Sequence, residues 1–251
     1  KQNLRVTRYN NGESIPYAEG ELVHDFHSSF DNEFGSTSEP QYSRYENEGS
    51  KAAIYGNFYN WIAANDPRGV CPQGFYVPSE GDCSELIDYL GDDQSYGTET
   101  GSALAGNDDL WTSDSLKFRD NGSGGCFDGP NEVPIEPQFS DHADFYCQDI
   151  LGYQWVWTSD LEPIEAFDDS GFDWLPSGEH HPWWIGPTFR GLGSSGFLWT
   201  STEVPLDDCN SWSSAYDSAC GSYFGLGGSV TQASTTKGSG FSIRCIQENA
   251  P

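Results

Sequence analysis

The residues with the most chemistry per side chain are seven cysteines, Cys71, Cys83, Cys126, Cys147, Cys209, Cys220 and Cys245. None forms a C-x-x-C pair, so a zinc ribbon or thioredoxin-type centre loses its main support. Disulfides with one thiol left over are the better reading for an exported chain. Cys209 and Cys220 flank a short polar segment and are expected to pair. His24-Asp25-Phe26-His27 and Glu179-His180-His181 carry transition-metal ligand types. Neither has a third spaced ligand, so histidines facing solvent or hydrogen-bonded locally are preferred. Calcium takes roughly six to eight oxygens. Asp141, Asp144 and Asp149, or Asp168, Asp169 and Asp173, supply carboxylates for it without EF-hand spacing. No cofactor is expected, and calcium is the one candidate. A Gly-rich phosphate loop, a nucleophile elbow and a His-Glu-x-x-His helix are all missing from the sequence. Carboxylate pairs such as Asp168-Asp169 carry little information in a chain with 39 Asp+Glu, so no enzyme is expected. Trp183-Trp184 suits a sugar platform if exposed and a core if buried. Asn121-Gly122-Ser123 fits the N-glycosylation acceptor pattern.

Charge narrows the partners. Eleven Lys+Arg against 39 Asp+Glu give −28. Phosphate binding needs cations, so nucleic acid is not an expected partner, and anionic membranes are disfavoured. No apolar run approaches the ~18 residues of a membrane helix, so no membrane insertion is expected. The acidic surface reads first as a solubility device. Aromatics make up 15% of the residues and compensate for scarce aliphatics, which argues against general disorder. The chain contains no Met, and a leader is expected to have been removed before Lys1.

The elements that must position these residues read as follows. Leu4-Arg5-Val6-Thr7-Arg8-Tyr9 is expected to be a strand, followed by an Asn10-Asn11-Gly12 turn. Residues 17–50 read as a long surface loop. Ile54, Phe58, Trp61 and Ile62 recur at helical spacing and predict one short amphipathic helix ending near Asp66-Pro67. Cys71–Pro78 reads as a turn and short strand. Ser79 caps a helix through Leu90 with Gly91 as its stop, its apolar face being Cys83, Leu86, Ile87 and Leu90. Beyond it, short strands and long loops are expected. A Trp-Thr-Ser string recurs at Trp111, Trp157 and Trp199, each read as a core anchor at a strand end. Gly240–Ile246 alternates, placing Phe241, Ile243 and Cys245 on one face of a last strand.

Several strings together resemble a known family. They are Asn3-Leu4-Arg5-Val6-Thr7-Arg8-Tyr9-Asn10-Asn11-Gly12, Tyr55-Gly56-Asn57-Phe58-Tyr59-Asn60-Trp61 and Cys71-Pro72-Gln73-Gly74-Phe75-Tyr76-Val77-Pro78. Gly171-Phe172-Asp173-Trp174-Leu175-Pro176-Ser177-Gly178, Gly196-Phe197-Leu198-Trp199-Thr200-Ser201-Thr202-Glu203 and Gly240-Phe241-Ser242-Ile243-Arg244-Cys245-Ile246 follow in the same order. In combination they resemble the Fibrobacter succinogenes major paralogous domain of exported proteins. The resemblance implies an α+β fold of C-type-lectin-like and formylglycine-generating-enzyme-like kind: two helices against a twisted, mainly antiparallel sheet with long loops. It also implies a Cys71–Cys245 disulfide, because lectin-like folds tie a comparable helix-side Cys to the final strand. The reactive Cys pair of the formylglycine-generating branch has no counterpart that can be placed here. The lectin triplets Glu-Pro-Asn and Trp-Asn-Asp are absent too.

The chain departs from the family pattern in three places. About sixty residues separate Trp111 from Gly171, where the family has a short connection. This insertion, 113–169, carries Cys126 and Cys147, which are expected to staple it. Cys83 stands where the family tends to have Trp and is expected to be a buried free thiol. The family's first strand is expected to be missing before Lys1. Ser115 in Asp114-Ser115-Leu116 and Ser218 in Asp217-Ser218-Ala219 resemble Bacteroidota O-glycosylation sites. The expectation is therefore one exported domain over 1–251, extracellular or at the cell surface and non-catalytic. It would be a structural subunit that self-assembles, possible filaments arising by strand exchange through Leu4, Arg5, Val6, Thr7, Arg8 and Tyr9. The alternative is a lectin-like adhesion or glycan-binding module.

Overall fold

The computed structural model describes residues 2–18, 39–90, 98–112, 116, 118–120, 126–128, 133–135, 161–163, 170–180, 189–208, 219–227 and 230–248. Their architecture is mixed α+β. The described helices are α1 (Gly49–Tyr55), α2 (Trp61–Ala64), α3 (Glu80–Tyr89) and α4 (Thr98–Leu104), against an expectation of two. None is long and apolar enough to cross a membrane.

The region expected to hold one helix from Ile54 to Ile62 is broken in the middle. α1 stops at Gly56, whose φ is +89°. That left-handed backbone favours glycine, and a Cβ there would lie 2.6 Å from the Cβ of Asn3. The chain then turns into a two-residue strand β2 (Phe58–Tyr59), paired with β1 (Tyr42–Ser43) inside what read as a loop. Asn60 restarts the helix by accepting the Ala63 N–H. Its amide also bonds Gln41 N–H and the Glu39 carbonyl, so one buried Asn ties the 39–41 segment to the start of α2. The apolar spacing was real, but it reflects burial of Phe58, Tyr59 and Trp61 rather than one helical face.

Ser79 begins α3 as expected. Its side chain accepts the Asp82 N–H while the Asp82 carboxylate accepts the Ser79 N–H, a reciprocal capping box. The face of Cys83, Leu86, Ile87 and Leu90 packs into one of two apolar clusters. Ahead of the helix, β3 (Phe75–Tyr76) pairs with a strand near the C-terminus.

In the insertion, β4 (Phe118–Asp120), β5 (Cys126–Asp128), β6 (Val133–Ile135) and β7 (Leu161–Pro163) form two antiparallel pairs, β4–β7 and β5–β6. The principal sheet follows, with β8 (Ser177–His180), β9 (Phe189–Leu192), β10 (Gly196–Pro205), β11 (Ala219–Leu226) and β12 (Val230–Thr236) in the order β12-β11-β10-β8-β9. All its pairings are antiparallel except β8 with β10. Both faces are covered. Trp199, with Phe241, Ile243, Tyr59 and Trp61, belongs to one cluster. Its neighbour Leu198, with Phe224, Leu226, Trp174 and Val230, belongs to the other, as the period of two in a strand requires. Gly221 sits where a Cβ would approach the Trp61 ring to 2.2 Å, so its lack of a side chain makes room for the helix on the sheet.

The two ends of the chain differ from expectation. Leu4–Tyr9 is not a continuous strand; its pairing reduces to one antiparallel bridge, Arg8 with Ser14. The Leu4 N–H donates to the Ile243 carbonyl, and the Leu4 carbonyl accepts from Asn57. Further along, the chain's own return fills the adjoining position, with Ile15 N–H on the Thr7 carbonyl and Tyr9 N–H on the Glu13 carbonyl. The expected last strand is likewise a series of bridges to three partners, Gly240 to His180, Phe241 to Tyr59 and Ser242 to Leu198. Only β13 (Ile246–Gln247), the partner of β3, is a strand there. The segment crosses between elements, so the alternation persists without a ladder: Phe241 and Ile243 are buried together, with Cys245 against them.

Candidate functional site

Near its two ends the described chain meets at a cluster of buried polar groups. Asn3, Ser177, Ser242 and Arg244 are all buried. The Arg244 guanidinium donates through Nη1 to the Phe172 carbonyl. Through Nη2 it donates to the Asp173 carbonyl at 2.9 Å and to Asn3 Oδ1 at 3.0 Å. Asn3 Nδ2 donates to the Tyr55 carbonyl at 2.8 Å and to Ser242 Oγ at 3.3 Å, and Ser242 Oγ reaches Ser177 Oγ at 3.1 Å. Burial pulls the Arg244 guanidinium down to about 10, with the Asp173 carboxylate opposing the shift. It stays charged at neutral pH, and its cost of burial is offset by charge-assisted bonds to oxygens. Arg244 Nε has no partner among the described residues. The network clamps the 172–174 turn, where Asp173 has φ +58°, to the N-terminal segment.

Beside it lies the disulfide. Cys71 and Cys245 are bonded, with Cα atoms 5.8 Å apart, so the expected long-range staple is present. The Cys71 carbonyl accepts from Asn10 Nδ2 at 2.8 Å, which adds the N-terminal turn to the same junction.

A serine–histidine pair is the described geometry nearest to a catalytic one. Ser43 Oγ lies 2.8 Å from His180 Nδ1. Both residues are buried, at 0% and 1% exposure, so the hydroxyl does not face solvent. The imidazole stacks on Phe189 at 4.1 Å, and the His180 backbone exchanges two hydrogen bonds with Gly240. This arrangement locks β1 to β8. Glu179, next along β8, meets Arg190 at 3.0 Å. Burial raises its carboxyl, and the guanidinium opposes that.

The Trp199-Thr200-Ser201-Thr202 string is a structural junction. Trp199 Nε1 donates to the Tyr59 carbonyl and Trp61 Nε1 to the Thr200 carbonyl. Ser201 N–H reaches the Pro78 carbonyl, and Thr202 Oγ1 accepts the first α3 amide, from Glu80. A register shift in β10 between Trp199 and Glu203 turns these groups toward the helix. Trp111 is buried too, but it follows a 3-10 turn rather than ending a strand.

Cys83 is a free thiol, partly buried. Burial, then Asp82 and Glu80, push it up to about 12. Cys220 is disulfide-bonded and fully buried, and its partner lies outside the described side chains. Cys147, Cys209, Ser115, Ser218, Asn121, Trp157, Trp183, Trp184, His24, His27, His181, Asp141, Asp144, Asp149, Asp168 and Asp169 lie outside the described residues, as does the Cys126 side chain. Among the described residues no group of three or more His, Cys, Asp or Glu is placed to hold a metal ion. The Arg244 network was not foreseen, because alternating Ser242 and Arg244 reads as a solvent face. The one available signal was the segment's position among the family strings.

Comparison with known proteins bears on this core. No curated protein and no solved structure matches the chain. The model of the Fibrobacter succinogenes major domain matches residues 1–247, thus including the N-terminal segment, the cysteine pair and the Arg244 segment, and the chain belongs to that family.

Proposed function

We propose that this chain is an exported, non-catalytic structural subunit with a C-type-lectin-like body, placed at the cell surface or outside the cell and built to self-associate. One observation carries the reading: the described groups with the most chemistry are committed to closing the fold. Arg244 joins the chain ends, Ser43 and His180 lock two strands, and Cys71 and Cys245 form a cystine. Cystines persist in oxidising compartments, which supports export. The −28 charge supports a hydrated, exposed setting.

Electron microscopy and sedimentation of native cell-surface material, with the chain located by antibody, test this reading. Ordered assemblies containing the chain are expected. Monodisperse particles that bind a glycan array would replace it with a glycan-binding module.

A further inference from the structure

The described surface holds an exposed arginine pair and an exposed face that is aromatic and acidic. The first is cationic. Arg5 and Arg8 are exposed, and among the described residues their guanidinium groups bond backbone carbonyls, those of Ile54 at 3.5 Å and Gly12 at 2.8 Å. By contrast, Lys51, Arg68, Arg190 and Lys237 each hold a carboxylate. Arg44 and Arg244 also lack a carboxylate among the described residues, but Arg44 is half-buried against Tyr17 and Tyr42 and Arg244 is buried, so Arg5 and Arg8 are the exposed pair. Ile54, beside Arg5, is itself 48% exposed.

The second patch is aromatic and acidic. Phe75, Tyr76 and Tyr89 are 42%, 37% and 85% exposed; with Ile54 they are the large apolar side chains left exposed among the described residues. Asp82, Glu85 and Tyr89 share a face of α3, at i, i+3 and i+7. Tyr76 meets it with its hydroxyl 3.3 Å from Asp82 Oδ1. Partial desolvation and then the carboxylates of Asp82, Glu248 and Glu85 raise the Tyr76 phenol.

Elsewhere the chain holds a guanidinium in surroundings of the same chemistry. Arg68 lies over the Tyr9 ring at 4.2 Å and bonds Asp66 and Glu13, a guanidinium between an aromatic face and carboxylates. Tyr76 has the Asp82 carboxylate on its hydroxyl and those of Glu85 and Glu248 acting on it, with no guanidinium over its ring among the described residues. Resting on the structural-subunit reading above, we infer that Arg5 and Arg8 of one copy dock on the Tyr76–Tyr89 face of a second copy. The contact joins unlike surfaces, so it propagates into a chain wherever the rotation does not close.

Sedimentation velocity on the purified chain tests this across protein concentration and salt. Wild type should associate near physiological ionic strength, where repulsion between two −28 chains is largely screened, and should weaken at least about tenfold at ~1 M salt, as screening reaches the contact itself. Arg5→Glu/Arg8→Glu and Glu85→Lys should each reduce association at least about tenfold through like-charge contact. An equimolar mixture of the two should restore it, because Glu at 5 and 8 then meets Lys at 85. Arg5→Gln/Arg8→Gln and Glu85→Gln serve as milder variants should a reversal unfold the chain. Unchanged association in all variants, or a mixture that does not recover, would overturn the docking contact while leaving the structural-subunit reading intact. A wild type monomeric under every condition would overturn both.

Discussion

Arg244 shows how one residue can hold distant pieces of chain together. Its two terminal nitrogens serve three oxygens, from Phe172, Asp173 and Asn3. An ammonium on a flexible stem lacks the planar fork that reaches all three. Arg244→Met leaves these acceptors without a donor, and each unpaired buried acceptor costs ~1–3 kcal/mol. The expected loss is about 3 kcal/mol or more in a urea melt, with Arg244→Lys recovering only a minor part. Cys83 makes a different residue-scale prediction. Its thiol is pushed from an ordinary 9.0 to about 12, which lowers the thiolate fraction about a thousandfold at a given pH, and the thiolate is the nucleophile. Iodoacetamide at pH 8 should modify it at least about a hundredfold more slowly in the folded chain than in urea. The same shift sets a sign for stability. Between about 9 and 12 the unfolded chain has released this proton and the folded chain retains it, so stability falls as pH rises through that window. Cys83→Ser should flatten that decline relative to wild type.

At the scale of elements, the capping box of α3 is the clearest case of local sequence dictating local structure. Ser79→Ala removes the acceptor for Asp82 N–H and should cost about 1 kcal/mol. Asp82 is held below its ordinary 3.8, chiefly by hydrogen bonds from Ser79, with burial opposing. Its contribution is therefore full above the ordinary value and lost as pH falls through the lowered one. The stability difference between wild type and Asp82→Asn should shrink on acidification below about pH 4, read as urea midpoints. The helix was legible because cap, period and length agree within a dozen residues. The α1–β2–α2 segment was not, since its apolar spacing mimics a helix and the break depends on Gly56 meeting Asn3, more than fifty residues away. The last segment was legible in alternation but not in pairing, for Gly240, Phe241 and Ser242 each bridge a different element. The buried role of Arg244 was hidden because polar alternation looks the same whether the facing surface is water or a carbonyl cluster.

Over the whole molecule, the two sides of the principal sheet should differ in their dependence on the cystine. The cluster around Trp199, Tyr59 and Phe241 includes Cys71 itself, with Cys245 packed against it. The N-terminal turn rests on the same junction, through Asn10 to Cys71 and Gly69 and through Leu4 to Ile243. The cluster around Leu198, Phe224 and Val230 contains neither cysteine. The bond spans 174 positions of sequence, and in the chain-entropy model a loop of that size contributes about 5 kcal/mol. Removing it should not loosen the fold evenly. Cys71→Ser/Cys245→Ser should speed amide hydrogen exchange first at Leu4, Asn10 and Phe241, whose N–H groups bond across the junction. Amides of the β11–β12 ladder, such as Phe224 and Val230, should retain protection until global unfolding. Uniform acceleration across both clusters would mean that the sheet transmits the loss as one cooperative unit. Acceleration confined to the first cluster would show that the chain ends form a separate closure, held by the cystine and the Arg244 network over an independently stable sheet face.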